Sequence, residues 1–451
     1  MSPAELTDKA SDTPGLTKLN ILAGTAAGIN LSSVKSVIGS LFSLGVGQAV
    51  STFSSLIFFA YISRHFGVEL LGIVALALTI ATYVTLGTDQ GLRLIGARLV
   101  ARESSAAQVI IRRILLKRLL SCALCVTIGC LYALWGPVPR AARAYIVGFV
   151  LAVIPYAFSL DWLAWGLNKF AWLGGFNGGT RALFLIGSVT GILLTRTTFL
   201  PITLANGIAA TVGSLAMWGA WRLRWKGELS GSVPVAEELI QRELRWAAVL
   251  PLGVTTILSQ AFNNFDTVML GAMSTTSELG RYSAAYKILF LILGAYWLVM
   301  SSVYPKLSRA RTSPAARKAL FITVALVAVV GGLLAIVVSA FAPGILRTLY
   351  GGDLQATNLL RVLVWALPMD FCVALLSVVF VSRGHDRALL VATAGAAGSD
   401  IILNLLLIPK FQARGAALAT LASYAYFLVF LLQYTIRKPV FAEAIAQSSA
   451  I

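Results

Sequence analysis

The sequence predicts an all-α, polytopic membrane protein of about 12 transmembrane helices in two pseudo-symmetric six-helix lobes. Three observations carry that expectation. Of 451 residues, 58% are hydrophobic and only 12% charged, with a mean hydropathy of +0.83; a soluble domain carries about 25% charged residues. The Lys and Arg residues stand in short clusters between apolar runs. A weak internal similarity recurs at one offset, 208 residues, pairing Gly72 with Gly280 and Gly207 with Gly415. Six is an even number of spans, so a six-plus-six repeat inserts both halves the same way up, related by an axis along the membrane normal with a cleft between them.

Residues 1–35 read as a cytoplasmic tail, of which 1–20 are polar, of mixed sign, and without the basic segment, apolar stretch and cleavage site of a signal peptide. The first lobe, 36–221, holds spans near 37–61, 70–90, 114–135, 144–166, 173–195 and 199–221. A linker, 222–246, follows; its stretch Val235 to Trp246 sets Leu239, Ile240, Leu244 and Trp246 among charges, the pattern of a helix lying on headgroups. The second lobe, 247–437, holds spans near 247–271, 282–304, 319–342, 358–381, 388–408 and 414–435, and residues 438–451 form a second cytoplasmic tail. Sorting the loop Lys and Arg by side gives 25 on the side of the termini and 9 on the other, which places both termini in the cytoplasm.

That asymmetry also accounts for the net charge of +18 without nucleic acid as a partner. Neither G-x-x-x-x-G-K-[ST] nor H-E-x-x-H occurs, and the outward loops are short, so catalysis is disfavoured and no cofactor is implied. Cys122, Cys125, Cys130 and Cys372 fall inside apolar runs. The two histidines stand in distant loops, so reduced, packed cysteines are expected rather than a four-ligand metal site.

Ionisable groups inside spans are functional candidates by default. They are Asp161, Arg181, Asp266, Lys287, Asp370 and Asp400, with Arg64, Asp89, Arg93, Arg281 and Arg361 near span ends, where snorkelling is the simpler reading. The seventh span is the most polar: Thr256, Gln260 and Asn264 recur every fourth residue, with Asn263, Asp266 and Thr267 beside them. Such a stripe lines a water-filled cleft or bonds neighbouring helices. Gly39, Ser43, Gly47, Ser51 and Ser55 put a small residue at every fourth position of span one, a face for close packing. Arg181 follows Gly174-Gly175-Phe176-Asn177-Gly178-Gly179 and is the foremost candidate for an anion ligand, with a structural pair to Asp161 as the competing reading.

Several segments together resemble a known family. They are Tyr61-Ile62-Ser63-Arg64-His65-Phe66-Gly67-Val68-Glu69-Leu70-Leu71-Gly72, Asp89-Gln90-Gly91-Leu92, Asp161-Trp162-Leu163-Ala164-Trp165-Gly166 and Asp266-Thr267-Val268-Met269-Leu270-Gly271, then Leu279-Gly280-Arg281-Tyr282 to Lys287, Tyr304-Pro305, Tyr350-Gly351 and Asn404 to Pro409 with Gly415-Ala416-Ala417. In this order and spacing over 36–437 they resemble the polysaccharide-transporter, Wzx-type O-antigen flippase branch of the MOP superfamily, which also holds MATE exporters and lipid II flippases. Where the family often has Gln, this chain has Trp165.

The resemblance implies that an undecaprenyl-diphosphate-linked oligosaccharide is moved across the bacterial inner membrane by rocking of the two lobes, with polysaccharide polymerase or assembly proteins as further partners. It makes Arg64, Arg181, Arg281 and Lys287 head-group ligands, joined by Asn263 and Asn264 of the polar stripe. Asp161, Asp266, Asp370 and Asp400 then bind a coupling proton or sodium ion, or neutralise the basic groups. The alternatives are a MATE-like antiporter of cationic small molecules, a membrane-bound polymerase or ligase, and a non-transporting assembly partner.

Overall fold

The computed structural model describes residues 31–226, 237–309 and 314–437. Most of the expected tail at 1–35, the middle of the linker and the C-terminal tail at 438–451 lie outside them. Residues 31–35 are helical: the first helix, α1, runs Leu31–Asp89. It joins the first two expected spans with no loop. Gly67, at φ 84° and ψ 173°, is the non-helical residue between its two arms, a backbone state open to glycine at little cost.

The remaining helices of the first half are α2 (Leu92–Arg102), α3 (Ala107–Trp135), α4 (Arg140–Leu151), α5 (Val153–Ala157), α6 (Asp161–Gly166), α7 (Phe170–Thr195) and α8 (Phe199–Ala220), extended by a π-helical turn, Trp221–Trp225. The expected fourth span is thus three short helices. The turn at Phe158 to Leu160 frees carbonyls inside the protein, and side chains satisfy them: Trp218 Nε1 donates to Phe158 O at 2.9 Å and Arg118 Nη1 to Ser159 O at 3.0 Å, while Ser214 Oγ adds a bond at 2.8 Å to Pro155 O, which also accepts from Phe158 N. A broken helix is tolerated at membrane depth where protein groups replace the missing bonds.

The second half comprises α9 (Glu237–Glu243), α10 (Trp246–Met273), α11 (Thr276–Arg309), α12 (Pro314–Tyr350), α13 (Leu354–Leu363), α14 (Ala366–Ser382), α15 (Asp386–Phe411) and α16 (Ala413–Arg437). The expected tenth span is split between α13 and α14, just ahead of Pro368. Among the described residues, nine stretches are long and apolar enough to cross a membrane, one of which holds both arms of α1. With α10 and α11, of 28 and 34 residues, these furnish the expected twelve.

The linker helix α9 differs from its expected place on the headgroups. Ile240 and Leu244 are 0% and 2% exposed, packed with Leu92, Ile95, Trp221 and Trp225 in a core at the base of the first half. Its apolar face therefore covers protein, which removes those side chains from water as effectively as lipid would.

The small-residue face of α1 serves close packing. A Cβ built on Gly178 would meet Gly47 O at 2.9 Å and Val50 Cβ at 3.2 Å, and one on Gly174 would meet Leu44 Cα at 3.2 Å, so α1 and α7 touch along their glycines. The surroundings of Gly39 fall outside what is described. The repeat is supported at one of its two places. Gly72 and Gly280 each stand five residues into their helical arms, and a Cβ on Gly72 would meet Gly280 N at 2.7 Å; equivalent residues that touch each other lie beside a two-fold axis. Gly207 and Gly415 are not equivalent, because α8 and α16 begin 214 residues apart, at Phe199 and Ala413.

Candidate functional site

A cavity of about 560 Å³ opens between α1, α5, α7 and α8, with Gln260 of α10 closing one wall. Its polar lining includes Gln48, Ser51, Arg93, Asp161, Asn177 and Arg181. Gln48, Ser51 and Asn177 come from the two helices that approach through their glycines, so the close packing also brings these side chains to the cavity.

The buried charges sort into two unlike groups. In the first half, Arg118 (1% exposed) pairs with Asp89, stands 3.6 Å from Asp161 Oδ1 and bonds Ser159 O. Arg93 Nε lies 3.1 Å from Asp161 Oδ2, while Ser159 Oγ donates to Asp161 Oδ1 at 2.7 Å. Two cations thus balance two carboxylates, and Asp161 serves Arg93 and Arg118 rather than Arg181. Reading Asp89 and Arg93 as headgroup snorkellers is corrected: Asp89 turns to the buried Arg118, and Arg93, at the cavity wall, turns to the buried Asp161. Arg118 itself was legible only as part of a loop cluster. The signal that finds it is that the third span, taken from residue 114, contains an arginine, and Asp89 and Asp161 are the acids inside the bounds of the first-half spans.

Arg181 reaches the cavity with no ion pair among the described residues. Lys287 of α11 places its Nζ 4.7 Å from the centroid of the Phe59 ring; it too has no ion pair among the described residues. One cation from each half therefore stands near the boundary of the lobes.

The other expected anion ligands are not gathered there. Arg64 is exposed and donates to Arg347 O at 3.4 Å. Arg281 donates to Asp353 Oδ2 at 2.8 Å and Glu278 Oε1 at 2.7 Å, fastening the start of α11 to the N-cap of α13. Asp353 also accepts from the backbone N–H of Gln355 and Ala356. Partial burial opposes ionisation of Asp353, but Arg281 and the two N–H groups outweigh it and hold the carboxyl below its ordinary range. Asn264 Nδ2 donates to Gln260 Oε1 at 3.2 Å, and Asn263 O accepts from Tyr286 Oη at 2.5 Å. The polar stripe of α10 thus faces both the cavity and the helices beside it.

Asp266, Asp370 and Asp400 are buried in the second half and meet neutral donors. Tyr282 Oη bonds Asp266, which also accepts from Thr267 N at 2.7 Å. Asn404 Nδ2 donates to Asp400 at 3.0 Å, and Tyr424 bonds Asp370. Tyr282 Oη lies 3.3 Å from Thr420 Oγ1. The Oδ2 atom of Asp370 and the Oδ1 atom of Asn404 are buried without a hydrogen-bond partner. Among the described residues no lysine or arginine pairs with these three carboxylates, and no cluster of three His, Cys, Asp or Glu residues is disposed to hold a metal. The four cysteines are free thiols.

A second, apolar groove of about 510 Å³ runs between α7 and α8, lined by Gly175, Gly179, Leu183 and Val212, with Arg224 at one end. It shares Phe176, Thr180 and Ala209 with the charged cavity, so the two spaces adjoin at these residues.

Comparison with known proteins follows the same lines. Residues 37–311 match the family described as polysaccharide biosynthesis protein, and residues 251–406 match the MatE family. Among solved structures, the chain is similar to the lipid II flippase MurJ in an inward closed conformation, with TM-score 0.64 and 15% identity over 88% of this chain and 87% of that one. It is similar to the eukaryotic MATE transporter AtDTX14, with TM-score 0.61 and 12% identity over 90% and 96% of the two chains. A multidrug resistance MATE family transporter of the MOP superfamily, in an inward-facing conformation, gives TM-score 0.63 and 15% identity over 87% and 98%. No curated protein sequence matches the chain.

Proposed function

The chain belongs to the polysaccharide biosynthesis protein family and has the fold of the MOP-superfamily transporters; from that premise we propose that it is a flippase for lipid-linked oligosaccharides. It carries an undecaprenyl-diphosphate-linked repeat unit from the inner to the outer leaflet of the bacterial plasma membrane by alternating access of its two lobes, with both termini in the cytoplasm. The observation that carries the proposal is Arg181, a cation lining the cavity with no ion pair among the described residues, with Lys287 of the other half, also without an ion pair among them, placed over Phe59 of α1. A diphosphate entering a low-dielectric cleft needs fixed cations in place of its water. The apolar groove between α7 and α8, which adjoins the cavity at Phe176, Thr180 and Ala209, gives the polyprenyl tail an apolar place beside the head-group site.

Asp266, Asp370 and Asp400 form the coupling site in this reading. Buried carboxylates without a basic partner take up a counter-cation or a proton, and exchange of that ion between the two sides gives the cycle its direction. Asp161, by contrast, neutralises Arg93 and Arg118. Removing the protein from its host and extracting undecaprenyl-diphosphate-linked glycans tests the proposal: a complete repeat unit should accumulate, protected on the cytoplasmic side. Unchanged lipid-linked glycan, together with raised sensitivity to cationic drugs, would replace it with a MATE-like antiporter, the reading that the MatE match at 251–406 favours.

A further inference from the structure

Beside Arg181, the cavity between α1, α5, α7 and α8 carries side chains that a diphosphate leaves unused. Gln48 of α1, Asn177 of α7 and Asn206 of α8 line it, and none of the three carboxamides has a hydrogen-bond partner among the described residues. The threonines around them are occupied: Thr82, Thr85 and Thr180 give their hydroxyl protons to Leu78 O, Ala81 O and Phe176 O at 2.8, 2.8 and 2.7 Å. A carboxamide left unpaired at membrane depth is costly unless a cavity ligand or water meets it. Asn177 stands one helical turn before Arg181 on α7, about 6 Å along the axis, so the amides begin where the head-group cation ends. The helices α1 and α7 are held in contact through Gly47, Gly174 and Gly178, which fixes Gln48 and Asn177 relative to each other.

We propose that Gln48, Asn177 and Asn206 form the subsite for the sugar joined directly to the diphosphate, and that this subsite selects a neutral sugar; the proposal rests on the flippase reading above. Each carboxamide presents N–H donors and an acceptor oxygen. A sugar hydroxyl or acetamido group also donates and accepts, so it satisfies both ends, whereas a further anionic group would face the amide oxygens with no hydrogen to give. The charges of the cavity point the same way. Asp161, the carboxylate among the described lining residues, is held by Arg93 and Ser159 Oγ. Arg93 is thereby committed to Asp161, and Arg181 and Lys287 to the diphosphate, so no lysine or arginine of the described lining remains for the carboxylate of an acidic sugar. A site built to hydrogen-bond its ligand rejects an analogue that leaves those bonds unmade.

The test uses the full chain in phospholipid nanodiscs and measures Kd by isothermal titration calorimetry for farnesyl diphosphate and for the same diphosphate bearing glucose, galactose, N-acetylglucosamine or glucuronic acid. At least one neutral glycosyl probe should bind about fivefold more tightly than farnesyl diphosphate alone, as expected for one satisfied neutral hydrogen bond, and the glucuronosyl probe should gain nothing. Gln48→Ala, Asn177→Ala and Asn206→Ala should each lose most of that gain, with the loss confined to the sugar-bearing probes. Where an alanine variant loses farnesyl diphosphate as well, the near-isosteric Gln48→Met, Asn177→Leu or Asn206→Leu takes its place, and the same confined loss is required of it. A neutral sugar that adds nothing in the wild type, a gain that survives in the triple variant, or an equal gain from glucuronic acid overturns the proposal and leaves the flippase reading standing. Failure of every probe to bind, farnesyl diphosphate included, overturns both.

Discussion

Arg181 and Lys287 are set apart from the other intramembrane cations by what surrounds them: Arg93 and Arg118 have carboxylates within reach, and these two have none among the described residues. A cation kept near a cavity without a counter-ion is costly unless a ligand supplies one. Arg181→Gln and Lys287→Gln should therefore abolish glycan export while leaving protein levels in the membrane intact, and export at the wild-type rate in both singles and the double would exclude a head-group role. Arg118 shows the opposite behaviour. Arg118→Met leaves Asp89 and Asp161 buried with one cation between them and should destabilise the protein by about 3–5 kcal/mol, seen as an earlier thermal unfolding in detergent. At the other end of the molecule, Asp353 is ionised more readily than a free carboxylate. Its contribution is present above the unfolded value, about 3.9, and fades as pH falls through the lower folded value. Asp353→Asn should thus be less stable than wild type at neutral pH, with the gap closing on acidification; a constant gap across that range would show that Arg281 holds Asp353 by geometry alone.

The elements owe their placement to positions where a side chain is missing. The helices α1 and α7 meet through Gly47, Gly174 and Gly178, and where lipid is as apolar as leucine such close backbone approach is a main source of helix association. Gly178→Leu should cost about 1–3 kcal/mol by overpacking and displace Asn177 and Arg181 from the cavity, so that its export defect exceeds that of the equally large Gly45→Leu on α1, whose added Cβ meets nothing within 4 Å. Equal defects would remove the contact from the account. The breaks between α4, α5 and α6 follow the same logic in reverse. There the chain gives up helical hydrogen bonds, and Trp218 and Arg118 replace them.

For the whole molecule, the two halves touch at both ends of the cavity. Gly72 and Gly280 meet at one end; at the other, a Cβ on Gly253 would come within 2.9 Å of the Gln90 backbone. Passage of a substrate requires one of these contacts to open while the other stays shut, so a wedge at either end should bias the lobes in opposite directions. With Gln48→Cys as a reporter in the cavity, Gly253→Leu and Gly280→Leu should raise its labelling by membrane-impermeant reagents from opposite sides. Labelling that changes alike in both variants would argue against rocking lobes.

The membrane character, the number of spans and the residue types available to hold an anion or a cation were legible in the sequence, because hydropathy and charge are local sums along the chain and the bilayer responds to them segment by segment. The repeat was legible at Gly72 and Gly280, where close packing leaves no room for a side chain, and misleading at Gly207 and Gly415, where small residues recur without equivalent surroundings. Only the tertiary structure decided which charges cancel: Arg118 with Asp89 and Asp161, Arg281 with Asp353, and Arg181 and Lys287 with no carboxylate among the described residues. It also decided that α9 covers protein and that Arg64 lies outside the cavity. Each of those outcomes rests on a distance of a few ångströms between helices remote in the chain, and in a low-dielectric interior the pairing of charges turns on that distance.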